Sequence, residues 1–235
     1  MVKRSRKAIP LVTQEKVMVG ANELTFQVST YAALLLQLID SITEYRIPHE
    51  RRHSSAVAAY SLGLTRISGL SFDARKIQLL WYAALLHDVG KLCLPSAIWN
   101  YPRKLTTAEY SLVKTHARLG FEMLNALEIS NDVKFAVLHH HERWDGSGYP
   151  DELKGMEIPL FAQIIAAADV FDALTHRRTY REAFSAQEAR KIMQEEPLKF
   201  NPLIIEGLEA LDNDSDLIAT ILPTTDSTFS FHVTG

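Results

Sequence analysis

The chain has 235 residues, 47% of them apolar, and a formal net charge of −3. That length supports one domain with a sizeable core and short appendages, and the charge lacks the basic excess that a nucleic-acid polymer demands. The single cysteine, Cys93, excludes an internal disulfide and fits a reducing compartment. No apolar run approaches the roughly 20 residues that cross a bilayer. The basic start at residues 1–7 is followed by no long apolar segment, so neither a secretory signal nor a membrane span is expected. The reading is a cytoplasmic protein.

Residues 1–23 mix basic, β-branched and polar types without a clear period, as an arm or a short strand would. Over 24–45 the positions Phe26, Tyr31, Leu34, Leu35, Leu38, Ile39 and Ile42 recur at helical spacing, and Ile47-Pro48 ends that helix. A second helix is predicted over 49–68 with Gly69 as its stop. Asp73 follows as a cap, and a strongly apolar helix runs over 74–89. Gly90 stands where a left-handed C-terminal cap belongs. Thr106-Thr107-Ala108-Glu109 resembles a capping box. The helix it opens carries Tyr110, Val113, His116, Leu119, Met123 and Leu124.

Asn131-Asp132 starts a helix that runs into His139-His140-His141. A loop covers 145–157, and Pro159 opens a long helix through about residue 173. Two more helices are expected over 185–194 and 202–211. The tail after Asp212 is rich in Thr, Ser and Asp and reads as a β-hairpin or a mobile end.

The histidines and acids carry the chemistry. Imidazole and carboxylate are the donors that hold borderline divalent metals. His87-Asp88 closes the apolar run from residue 79 to 86, where a buried Asp needs a positive partner. A metal ion or Lys91, three residues on, would meet that need. Asp169 sits in Ala168-Asp169-Val170-Phe171-Asp172 with no cation nearby until Arg177; a metal, a helix cap or an ion pair would satisfy it. Asp172 shares its helix face. His53 and His116 alone are ordinary half-buried histidines. His139, His140 and His141 cannot all face one way on a helix, so at most two are ligands. Gly146 and Gly148 mark a tight loop after them.

Together these segments resemble the HD-GYP family of the HD phosphohydrolase superfamily. His87-Asp88-Val89-Gly90-Lys91 is similar to its HDxGK element. The run from 140 to 150 (His140-His141-Glu142-Arg143-Trp144-Asp145-Gly146-Ser147-Gly148-Tyr149-Pro150) matches HHExxDGxGYP without a gap. Lys114-Thr115-His116-Ala117-Arg118-Leu119-Gly120, the block around Asp169, and Arg178-Thr179-Tyr180-Arg181 complete the ordered set. The resemblance covers about residues 50–210. It implies an all-α, single-domain, helical HD-type phosphohydrolase bundle with short strands at the termini. Residues 1–48 would form an N-terminal arm and helix, 49–212 the HD-GYP domain, and 213–235 a C-terminal tail. The leader is too short for the sensory or receiver domain often fused to family members.

By the same resemblance, His53, His87, Asp88, His116, His140, His141 and Asp169 are the metal ligands, with Asp88 bridging two divalent ions. Iron is the expected metal, with Mn, Ni, Co and Zn as alternatives. Asp88 and Lys91 are the expected catalytic residues, and Lys91, Arg178 and Arg181 would meet substrate phosphate. Glu142, Asp145 and Asp172 would orient the histidines and the loop, which Gly148, Tyr149 and Pro150 shape. The implied activity is hydrolysis of cyclic di-GMP to pGpG, GMP or both by a metal-bound hydroxide. The alternative is a cyclic-dinucleotide sensor or a module that docks a diguanylate cyclase or other signalling protein at the Gly148-Tyr149-Pro150 loop. A homodimer is a further expectation. Some relatives carry a third-metal glutamate four residues before the first histidine; here that position is His49, so no third metal is expected.

Overall fold

The most apolar stretch of the sequence occupies the centre of the molecule. The computed structural model describes residues 12–19, 22–47, 50–98, 103–176 and 182–210. In it, α7 (Leu160–Thr175) is buried without a break from Phe161 to Ala168. A helix that is apolar all round has no face for water and must be enclosed. It is enclosed by α2 (Glu50–Ile67), α3 (Ala74–Leu86), α6 (Asn131–His139), α8 (Ala186–Gln194) and α9 (Pro202–Ala210). Leu64, Leu80, Trp81, Ile164, Ile165, Met193 and Ile204 fill the space between them, and Tyr60 meets Phe171 edge-on at 5.0 Å.

Local capping chemistry sets several boundaries. The Asp73 side chain accepts from Lys76 N at 2.7 Å to open α3. Thr106 and Ser185 form reciprocal capping boxes with Glu109 and Glu188. Gly69 ends α2 with φ +65°, as a C-terminal glycine does.

Three expectations are corrected. The helix expected from residue 24 begins at Thr30: α1 spans Thr30–Arg46. Residues 24–29 belong instead to β2 (Asn22–Ser29), which pairs antiparallel with β1 (Val12–Val19), Val12 opposite Ser29 and Val19 opposite Asn22. Val and Thr in both segments, with Phe26 in the second, favour a pleated strand once a partner strand lies alongside. The expected strands at the other end lie outside the described residues.

The helix expected through residues 107–124 is two helices, α4 (Thr107–Lys114) and α5 (His116–Asn125). Thr115 turns the chain between them, its hydroxyl donating to Leu112 O at 2.7 Å.

Gly90 is not a left-handed cap. It lies in a short 3-10 turn, Val89–Cys93, where a Cβ would stand 2.0 Å from His116 O and 2.5 Å from Gly120 N. Glycine is required there because two backbones touch. That contact carries the end of α3 against the start of α5, which sets Asp88 beside His116.

Replacing Gly90 by alanine is expected to destabilise the fold by about 1–3 kcal/mol through overpacking. Denaturant unfolding checks this; a change within about 0.5 kcal/mol, the range of an ordinary surface substitution, would refute the tight contact.

Candidate metal centre

Three helix ends deliver histidines, and all three do it in the same way. His87 follows α3, His116 opens α5, and His140 follows α6. Each ring points Nδ1 at the carbonyl three residues back: His87 at Ala84 O (2.7 Å), His116 at Val113 O (2.6 Å) and His140 at Val137 O (2.7 Å). A carbonyl only accepts, so Nδ1 carries the proton and Nε2 holds a lone pair. Those lone pairs converge: His116 Nε2 lies 3.3 Å from His140 Nε2 and 3.2 Å from His141 Nε2. Nitrogen lone pairs at that distance repel unless a proton or a cation stands among them.

Asp88 lies at the centre of the cluster and divides its two oxygens. Oδ1 is 3.0 Å from His116 Nε2 and 3.8 Å from His140 Nε2. Oδ2 is 3.0 Å from His87 Nε2 and 3.7 Å from His53 Nε2. Among the described residues, Asp88 Oδ1 and His87 Nε2 are buried yet make no hydrogen bond. Two groups of donor atoms result, each within 4.8 Å of one another: Asp88 with His116, His140 and His141, and His53 with His87 and Asp169. All seven residues expected as ligands are thus brought together on the two sides of one carboxylate. Orphaned buried donors and facing lone pairs are what a divalent cation would satisfy, so the residues fit such a group.

The surrounding residues hold this arrangement. Asp172 Oδ2 lies 2.7 Å from His53 Nδ1, which leaves His53 Nε2 facing Asp169 Oδ1 at 3.3 Å. Asp172 also binds His176. The loop after His141 folds back on itself. Gly146 takes φ +84°, and Asp145 Oδ1 accepts from Ser147 N at 2.9 Å. Gly148 has no positive φ; a Cβ there would meet Glu142 Cα and Arg143 N at 2.4 Å. Glu142 Oε1 accepts from Asp151 N at 2.7 Å. This return lays the Tyr149 ring on His141, centroids 4.8 Å apart and 28° from parallel. Glu142 and Asp145 therefore act on the loop backbone, and the Tyr149-Pro150 peptide is cis. His139 points elsewhere, to Asp151 Oδ2 at 3.0 Å.

A family model described as an HD domain matches residues 36–204. The chain belongs to the HD-domain family. Its His140–Pro150 motif, HHExxDGxGYP, puts it in the HD-GYP branch. It is 36% identical over 191 residues to a cyclic di-GMP phosphodiesterase of Vibrio cholerae, which covers 77% of this chain and 38% of that protein. It is 34% identical over 182 residues to the 3′3′-cGAMP-specific phosphodiesterase 2 of the same species, covering 76% and 34%. An HDG"Y"P protein from Bdellovibrio bacteriovorus has a similar structure, with a TM-score of 0.57 at 25% identity over 68% of this chain and 51% of that one. The chain spans about half or less of the length of these proteins.

Within this HD domain, Lys91 holds the position the motif implies, and its ammonium is bound to acids. Nζ lies 2.5 Å from Asp88 Oδ2 and 2.9 Å from Glu50 Oε1. Glu50 was not found from sequence. It opens α2 three residues before His53, hence on the same face, and it forms a further group with His53 and Asp88. Its helical spacing was the available signal. Arg178, Arg181 and His49 lie outside the described residues.

Protonation follows from these contacts. Burial opposes the charge on Asp88, but Lys91, His87 and His116 outweigh it and hold the carboxyl well below the usual range. Burial also opposes a proton on His53, but Asp169 and Asp172 lift it to about 10. Burial pushes His141 down to about 3, and burial with the neighbouring histidines pushes His140 down as well. Burial raises Tyr149 above the usual phenol range, as do Tyr110, Asp88 and Asp169.

Two outcomes are expected. His53 is protonated at neutral pH without metal, so a cation binding at His53, His87 and Asp169 must expel that proton. Metal affinity should rise by up to about tenfold per pH unit between about pH 6 and 9, with acid released on binding. Competition titrations against a chelating dye measure this, and a flat profile would contradict it. Asp172→Asn should weaken metal binding by about 10–100-fold by loosening His53; unchanged metal content after dialysis against chelator would remove Asp172 from that role.

Proposed function

We propose that this chain is a metal-dependent phosphodiesterase that hydrolyses cyclic di-GMP to pGpG, GMP or both. The observation that carries the reading is the division of Asp88, one oxygen toward each group of imidazoles. It supports two divalent cations on either side of Asp88: His116, His140 and His141 would hold one, and His53, His87 and Asp169 would hold the other. When bound, such a pair supplies Lewis acidity toward phosphoryl oxygens and lowers the pKa of water. The donor set, imidazole and carboxylate without thiolate, suits iron, our proposed metal, as well as Mn, Ni, Co or Zn.

The chain's own residues do the rest. Asp172 fixes the face that His53 presents. Tyr149 covers His141 and keeps bulk water off that ring. Lys91 keeps a positive charge beside the bridging carboxylate, with Glu50 on its other side. Arg178 and Arg181 are proposed to clamp substrate phosphate. The two Vibrio cholerae relatives named for cyclic di-GMP and cGAMP support a cyclic dinucleotide as the substrate class. Among the described residues no helix is long and apolar enough to cross a membrane. A cytoplasmic location is proposed on the free, exposed thiol of Cys93. Docking of a diguanylate cyclase is proposed at the loop, where Ser147, Asp151 and Met156 are exposed, and a homodimer is proposed beside it.

Anaerobically purified protein should carry divalent metal and convert cyclic di-GMP to a linear product, followed by chromatography. Asp88→Asn should lower turnover by about 10²–10³-fold or more, since the charge that both metal groups share is gone. Metal-replete protein that binds the dinucleotide and leaves it intact would replace this reading with that of a sensor.

A further inference from the structure

We propose that Tyr110, Lys114 and Tyr149 form a nucleotide subsite beside the metal centre. In it the Lys114 ammonium takes the phosphate that is not being cut, and the Tyr110 ring stacks a purine base. The inference rests on the phosphodiesterase reading above and extends it to how the second half of a cyclic dinucleotide is held.

Lys114 is the last residue of α4, two positions before His116. Its Nζ lies 5.1 Å from the centre of the Tyr110 ring and 5.0 Å from that of Tyr149. Aromatic faces attract a cation but carry no net charge to neutralise it. Among the described residues no carboxylate pairs with Lys114. Nearby basic residues are already committed: Lys91 to Glu50 and Asp88, Arg103 to Glu109, and Arg118 to Asp151. Lys114 thus offers a half-buried positive charge, held by two rings and available to an anion.

Its place gives that charge a use. Tyr149 lies against His141, so one aromatic ring separates Lys114 from that histidine of the candidate metal centre. A cyclic dinucleotide carries two phosphodiesters and two purines. If the metal centre takes one phosphate, the other needs a separate cation within the same small molecule. Tyr110 is 50% exposed, which leaves a ring face open for a base. Stacking on an aromatic face beside a cation is how bases are held without reading their edges.

The test uses the full, metal-loaded chain. One arm measures the dissociation constant of a non-hydrolysable phosphorothioate analogue of cyclic di-GMP. The other compares kcat/KM for cyclic di-GMP with that for bis(p-nitrophenyl) phosphate, a diester with no base and no second phosphate. Lys114→Gln should weaken analogue binding by about tenfold or more and lower the ratio of the two efficiencies by a similar factor, while Lys114→Arg recovers most of both. Tyr110→Ala should weaken binding by about fivefold or more, and Tyr110→Phe should not, because the ring face does the work. Lys114→Gln with matched metal content and binding within about twofold of the parent would overturn the subsite. If Lys114→Gln does not fold, Tyr110→Ala decides by the same binding measurement. If the parent cleaves neither diester, the phosphodiesterase reading fails, and the analogue's dissociation constants still decide the subsite.

Discussion

A carboxylate buried at the end of an apolar helix organises this molecule. Asp88 follows the core-facing run of α3 and cannot remain charged there without positive or hydrogen-bonding partners on both oxygens. Lys91 meets one oxygen from the same chain segment, and imidazoles from three other segments crowd around both. Removing any one of these segments leaves a buried charge exposed to its neighbours. The bundle and the centre are therefore one construction: α2, α3, α5, α6 and α7 pack where they do, and the packing sets their ends against Asp88.

Helix geometry solves the orientation of the imidazoles. A helix end leaves carbonyls without partners, and His87, His116 and His140 each use one to hold the proton on Nδ1. The backbone thereby selects the tautomer that turns Nε2 inward. His53 lies within α2, where no end carbonyl is free, and Asp172 takes that part from α7. This difference gives the buried Asp172 its place against His53. The same reasoning separates His139 from its neighbours, since its ring turns toward Asp151 on the outer side of the loop.

Close backbone contact does what side chains cannot. Gly90 touches the start of α5, and Gly148 touches the chain at Glu142; neither needs the left-handed region. One contact sets Asp88 beside His116, and the other lays Tyr149 on His141. Sequence alone favours a conformational role for such glycines, because φ is a local property. A requirement for absent Cβ arises only from what lies opposite. The strand over residues 24–29 differs from its helical expectation for a related reason: apolar spacing is local, while pairing with β1 depends on residues seven to seventeen positions away.

The sequence by itself determined the helical class, the capped starts at Asp73 and Thr106, and, through its ordered motifs, the seven candidate ligands that the fold gathers around Asp88, because caps, periodicity and a contiguous motif are written in neighbouring positions. Only the tertiary structure decided how Asp88 divides its oxygens, that Glu50 and Lys91 face each other, and that Lys114 stands between two tyrosines. Those relations join residues from separate segments of the chain. Each is unremarkable alone, a helix-opening acid or a lysine at a helix end, and acquires a chemical role only when packing brings a buried charge or an aromatic face within reach.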